Sequence, residues 1–149
     1  MKSKLDLDKK KIEYIDLKDA DLKYTDFSGK EMEGVNLEGA DLFKAEFSRT
    51  SLIGVNFQGA DLRHARFWDS YLLHVNFTNA NLNYASFYES VIVKPEFNGT
   101  QMFETDLREV DLTQIDFKNV NHEFAKWKRP TDDFDSQYQL DKKSLWSSK

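Results

Sequence analysis

Three histidines, His64, His74 and His122, and four serines, Ser48, Ser70, Ser86 and Ser90, are the side chains best suited to metal or nucleophilic chemistry. A metal site needs ligands that converge on one point, and a serine nucleophile needs a base within reach. Cysteine is absent, which excludes thiolate ligation and a disulfide framework. Each glycine stands alone, so no glycine-rich loop is available to cradle phosphate. The 26 Asp and Glu supply many carboxylates that could act in pairs as acid and base. Whether any of these groups meet depends on the elements that carry them.

Those elements follow an unusual period. In "NFQGADLRHARFWDSYLLHVNFTNANLNYASF" a large apolar residue returns at every fifth position, from Phe57 through Leu62, Phe67, Leu72, Phe77 and Leu82 to Phe87. A helix facing a core repeats near 3.6 residues and a half-buried strand near 2, so five fits neither. Stepping by five from Leu7 to Phe117 meets 23 residues, all of them Leu, Phe, Ile or Met. Two places before each stands a small residue, Ala, Ser, Thr, Val or Ile, in 19 of the 23 cases. Between the two lies a polar residue, usually Asp, Asn or Glu. A short side of five residues therefore turns one small and one large side chain inward, flanking an outward polar one, and then bends.

The number of sides per turn is legible two places after each centre. Asp19, Gly39, Gly59, Asn79, Gly99 and Asn119 recur every twenty residues, and these types accept the positive φ of the third position of a type II turn. The small inward residues agree, with Ile15, Val35, Val55, Val75 and Ile115 in one column and Ala45, Ala65 and Ala85 in the opposite one. Four sides of five residues make one coil. In this register His64 and His74 fall at corners on opposite sides and His122 stands near the end, so no metal site is expected. The serines gain no histidine partner, and tight inward packing of Leu and Phe leaves no room for a ligand. No enzyme activity and no cofactor are expected. Thr25, Thr50, Thr100 and Thr105 point inward, which removes an ordered surface threonine row of the ice-binding kind.

The segments "ADLKY", "ADLFK", "ADLRH" and "NANLN" resemble the motif of the pentapeptide-repeat family, A-(D/N)-L-x-x, and the register holds from Leu5 to about Asn119. The resemblance implies an all-β fold, a right-handed quadrilateral parallel β-helix, often dimeric. At about 4.8 Å per coil, close to six coils would give a rod of about 29 Å. Lys10 and Lys30 depart from the pattern at small inward positions, and their ammonium groups are expected to thread out through a corner. Pro95 departs as well, with the expected loss of one rung contact and a local irregularity.

After Asn119 the pattern decays. Residues 1–120 are read as the β-helix and 121–149 as a C-terminal capping helix and tail. Asn121 serves as the N-cap of a short helix over 121–129, with Phe124 and Trp127 on one face. Phe134, Tyr138, Leu145 and Trp146 mark a second amphipathic segment. This end either caps the last open coil or joins two copies as a dimer.

Two surfaces qualify as functional. On one side the outward residues Ile53, Tyr71, Leu73, Val91 and Val93 adjoin Trp68 and Tyr88 across a corner, with Glu13, Glu33 and Thr113 beyond them. Contiguous apolar area rimmed by polar groups marks a protein contact, with another copy or a different chain. The other surface is acidic. Residues 5–119 hold 21 Asp and Glu against 13 Lys and Arg, and the acids form rows: Asp16, Asp21, Asp26, Asp41, Glu46, Asp61, Asp106, Asp111 and Asp116. Some members of the family that this chain resembles mimic DNA and occupy the DNA-binding saddle of DNA gyrase, which makes a topoisomerase the alternative partner. Lys18, Lys23, Lys44 and Arg63 interrupt the rows.

The formal net charge of −5 argues against direct nucleic-acid binding. No apolar run approaches the 18 residues of a membrane span, and "MKSKLDLDKKK" lacks the apolar core of a leader. The expectation is a cytoplasmic, non-catalytic protein-interaction module that self-associates as a homodimer.

Overall fold

An outward Asp or Asn can accept the backbone N–H two residues further on and so favour a tight loop over strand pairing along the rod. The computed structural model describes residues 5–126, and both kinds of side occur in it. The first side, centred on Ile12, Met32, Leu52, Leu72 and Ile92, carries Lys11, Glu31, Ser51, Tyr71 and Val91 in the outward position before the centre. It forms true strands: β1 (Lys11–Glu13), β2 (Glu31–Glu33), β3 (Ser51–Ile53), β4 (Tyr71–Leu73) and β5 (Val91–Val93). They pair in parallel in chain order, each residue beside the one twenty further on. From β1 to β5 the chain makes about four turns.

The other three sides pair through single parallel bridges such as Asn36↔Asn56, Asp41↔Asp61 and Glu46↔Arg66. There the side chains take the local N–H: Lys18 N donates to Asp16 Oδ1 at 3.1 Å, Phe43 N to Asp41 Oδ1 at 3.2 Å and Ser28 N to Asp26 Oδ1 at 2.8 Å. On the second side the same residues also join along the rod, with Asn36 Nδ2 on Asp16 Oδ1, Asn56 Nδ2 on Asn36 Oδ1 and Asn76 Nδ2 on Asn56 Oδ1, at 3.0–3.2 Å.

The corners also differ. After sides two, three and four the turn closes with a backbone bond, as in Ala20 N to Leu17 O, Ala45 N to Leu42 O and Thr50 N to Phe47 O. After β1–β5 no such bond forms. Nearly every corner takes positive φ at the second residue after the centre, glycine or not: Asp19 56°, Gly39 65°, His64 61° and Tyr84 63°. Such a corner strains an L-residue by about 1–2 kcal/mol, which the pairing of each coil with its neighbours outweighs.

The core is two stacks of phenylalanine filled out by Leu and Met. Phe27, Phe47, Phe67 and Phe87 lie face to face at 5.0, 4.9 and 4.6 Å, and Phe57, Phe77 and Phe97 at 5.2 Å. The two stacks meet edge to face, as between Phe47 and Phe57 at 5.5 Å. Phe67 and Phe87 are fully buried, twenty residues apart, as the period predicts. The inward hydroxyls are satisfied across coils: Thr50 Oγ1 donates to Phe27 O, Ser70 Oγ to Phe47 O and Ser90 Oγ to Phe67 O.

Three expectations need correction or refinement. Residues 121–126 do not open a helix: Asn121 bridges Gln101, Lys126 bridges Asp106, and Ala125 N closes a turn on His122 O. The repeat register outlasts the residue types that announce it, because each new side is templated by backbone groups of the coil beneath. Phe124 is thus a corner residue, 65% exposed, and not the face of a capping helix. Trp127, Phe134, Tyr138, Leu145 and Trp146 lie outside the described residues. Second, Pro95 costs no donor, because Val35, Val55 and Val75 in the same column donate no backbone bond either. The expected irregularity lies one coil on, where Glu96 does not bridge Asp116 and β5 gains no sixth partner. Third, Lys10 does emerge, and its Nζ meets Glu31 Oε1 at 3.0 Å; Lys30 is half-buried.

Candidate protein-contact surface

Strand register assembles the apolar surface. Ile53 lies beside Leu73, which lies beside Val93, while Ser51, Tyr71 and Val91 form the parallel row. Side chains alternate across a strand, so both rows face outward on either side of the buried Leu52, Leu72 and Ile92. Ile53, Trp68, Tyr71 and Val91 are 37%, 45%, 41% and 54% exposed, and Leu73, Tyr88 and Val93 are half-buried. Trp68 and Tyr88 stand across the preceding corner.

The two rings of that corner are held in place. The Trp68 indole N–H donates to Ser86 Oγ at 2.7 Å, and the Arg66 guanidinium lies 5.5 Å from the ring. The Arg108 guanidinium sits 5.5 Å from the Tyr88 ring. The neighbouring Glu89 carboxylate favours the protonated hydroxyl of Tyr88 and raises that group above its ordinary value. A contact made by rings already fixed loses little side-chain entropy. Toward the N-terminal end the surface gives way to charge: Lys11 Nζ meets Glu13 Oε1 at 2.6 Å, and the Tyr14 hydroxyl donates to Glu33 Oε1 at 2.8 Å.

The acidic rows are engaged differently. All nine carboxylates accept the backbone N–H two residues on, including Lys23 N on Asp21, Ser48 N on Glu46, Arg63 N on Asp61 and Arg108 N on Asp106. Asp111 and Asp116 do the same for Thr113 and Lys118. Cations neutralise several. Lys23 Nζ lies 3.6 Å from Asp21 and 3.0 Å from Asp41, Arg63 Nη2 lies 2.6 Å from Asp61, Arg66 Nε 3.2 Å from Glu46, and Arg108 Nη2 2.7 Å from Asp106. The Arg63 guanidinium holds Asp61 below the usual carboxylate range.

His64 and His74 occupy corners of opposite sides, and His122 packs edge-on against Phe117 at 5.5 Å. Among the described residues no three His, Asp or Glu converge as a metal site, and no helix is long and apolar enough to cross a membrane.

A family model for pentapeptide repeats matches eight copies, in segments that run from residue 15 to residue 108. The chain belongs to the pentapeptide-repeat family. Among solved structures, the pentapeptide repeat protein Rfr23 from the cyanobacterium Cyanothece superposes at a TM-score of 0.58 with 18% identity over 62% of this chain and 63% of that one. This chain thus spans just under two thirds of Rfr23. A pentapeptide repeat protein of the Arabidopsis thaliana thylakoid lumen superposes at 0.51 with 27% identity, over 72% and 69%. These likenesses establish a pentapeptide-repeat β-solenoid. No curated protein matches in sequence.

One feature of this pentapeptide-repeat rod was missed in the sequence. At the corner after the third side, centred on Leu22, Leu42, Leu62, Leu82 and Met102, a ring occurs in every coil. Tyr24, Phe43, His64, Tyr84, Phe103 and Phe124 touch in succession at 4.9–5.8 Å. The signal was one aromatic or histidine per twenty residues. It is divided between two neighbouring columns, four rings in one and two in the other, so neither column alone discloses it.

Proposed function

We propose that this chain is a non-catalytic protein-interaction module whose apolar surface over β3–β5 and the Trp68–Tyr88 corner contacts another protein chain. The observation that carries the reading is the juxtaposition of the exposed Ile53, Trp68, Tyr71 and Val91 beside rings already held in place. The right-handed sense, the count of about six coils, self-association and a cytoplasmic location belong to the same reading and rest on the family resemblance and the composition. The role of the tail in a dimer stays part of it as well.

The alternative, a DNA mimic directed at a topoisomerase, has less support. Its nine carboxylates all serve backbone N–H groups, and five of them also face a cation. A mimic competing for a cationic groove would lose its effect steeply with salt. Gyrase supercoiling that is unaltered by micromolar protein at low salt would eliminate it.

For the leading reading, wild type and the Trp68→Glu, Leu73→Glu double variant are compared by sedimentation velocity and by recovery of bound chains from cell extract. The double variant is expected to keep the circular dichroism of the wild type and to lose a bound chain. Indifference in both assays would reduce the surface to decoration.

A further inference from the structure

On the third side two outward columns change sign from one end of the rod to the other. One outward column runs from Lys23, which also meets Asp21 and Asp41, to Glu123. The corner column, between Tyr24 and Phe124, holds Lys44 near one end and Glu104 near the other. The carboxylates Asp21, Asp41 and Asp61 give way to the amides Asn81, Gln101 and Asn121. Lys23, Lys44, Gln101 and Glu123 are exposed and Glu104 is half-buried. Between the ends runs the aromatic corner, with His64 and Tyr84 stacked at its middle, 4.9 Å apart and 7° from parallel.

A two-fold axis across the rod, between the coils of His64 and Tyr84, keeps each column facing itself and reverses its order. We propose that two copies of this chain pack antiparallel through their third sides about this axis. Lys23 then faces the partner's Glu123, and Lys44 the partner's Glu104. Asp41 faces the partner's Gln101 as acceptor to donor. Phe43 meets the partner's Phe103, and His64 the partner's Tyr84. Each contact occurs twice, and no like charges meet.

The same operation fails elsewhere among the described residues. On the first side it sets Glu31 and Glu33 against valines of the partner. On the second it opposes Asp16 to an aspartate and Lys18 to a lysine, and on the fourth it opposes Glu46 to an aspartate. The self-complementary side is therefore separate from the apolar surface over β3–β5, which stays open to a different chain. The proposal goes beyond the interaction-module reading: it rests on the self-association which that reading includes and names a different surface for it.

The contact is small. Five coil spacings of about 4.8 Å by a strip about 12 Å wide cover about 290 Å² per copy, below the usual range of stable specific interfaces. The dimer is accordingly weak, concentration-dependent and loosened by salt.

The test is sedimentation equilibrium of the full chain up to about 1 mM, with K44E, E104K and the double variant K44E/E104K. Each single variant sets like charges together twice and is expected to weaken association at least about tenfold. The double variant restores opposite charges and is expected to recover to within about threefold of wild type. As the chain has no cysteine, a mixture of His64→Cys and Tyr84→Cys chains is expected to give a mixed disulfide under mild oxidation, with much less from either chain alone. A strict monomer at 1 mM, or a double variant no better than the singles, would overturn the proposal. So would a dimer that Trp68→Glu, Leu73→Glu breaks and K44E does not. If instead the charge exchange restores the dimer while the Trp68 variant loses nothing, the apolar-surface reading fails and this one stands.

Discussion

Thr113 donates its backbone N–H to Asp111 Oδ1 at 2.9 Å, and the sheet ends at β5. In the five coils before it, the residue equivalent to Thr113 lies inside a strand, and the position of Asp111 is held by Lys, Glu, Ser, Tyr or Val. Asp111 also brings a corner of the other kind, closed by Ile115 N on Leu112 O. The captured N–H at Asp111 and the end of the ladder thus fall in the same side, and the next side also lacks its bridge, between Glu96 and Asp116.

Asp111→Val is expected to release that N–H and extend the sheet by a sixth strand. Hydrogen exchange at Thr113 and Lys94 should slow by about tenfold, the value of one added ladder bond. Unchanged exchange at both amides would mean that the sheet ends for another reason.

Phe67 stacks between Phe47 and Phe87 at 4.9 and 4.6 Å and is fully buried. Phe67→Ala is expected to cost about 3–5 kcal/mol by urea unfolding, because coils held by neighbours on both sides cannot collapse onto the cavity. Phe117→Ala, in a coil that lacks the bridge to Glu96, should cost less.

Acid should weaken the rod. Hydrogen bonds from Ser28 to Asp26, from the Arg63 side chain to Asp61 and from the Thr113 backbone to Asp111 each favour the ionised form and lower these groups from the ordinary 3.8. At Asp106 burial opposes the shift, yet the bonds from Arg108 prevail and that group is lowered too. A carboxylate with a lowered folded value contributes stability in full above its unfolded value and loses it as pH falls through the folded one. Melting temperature is therefore expected to hold from pH 7 to about 5 and to fall below about pH 4, with a shallower fall in Asp61→Asn. An equal fall in the variant would show that Asp61 takes no part.

The amino-acid sequence by itself determined the coil. Side-chain types at four of every five positions declare inward, outward or corner, and stacking makes each declaration repeat every twenty residues, so the period, the core and the apolar surface were all legible. Which outward carboxylates are structural was not, because a captured N–H depends on whether the side loops or pairs. Tertiary structure decided that the first side forms strands and the others loops, and that the sheet ends at β5, beside Asp111. It also decided that residues 121–126 continue the coil and that six rings in two columns merge into one corner. The ladders, the continued coil and the ring corner depend on which coil lies against which, since their groups find partners about twenty residues away, whereas the bond of Thr113 N to Asp111 lies within one side.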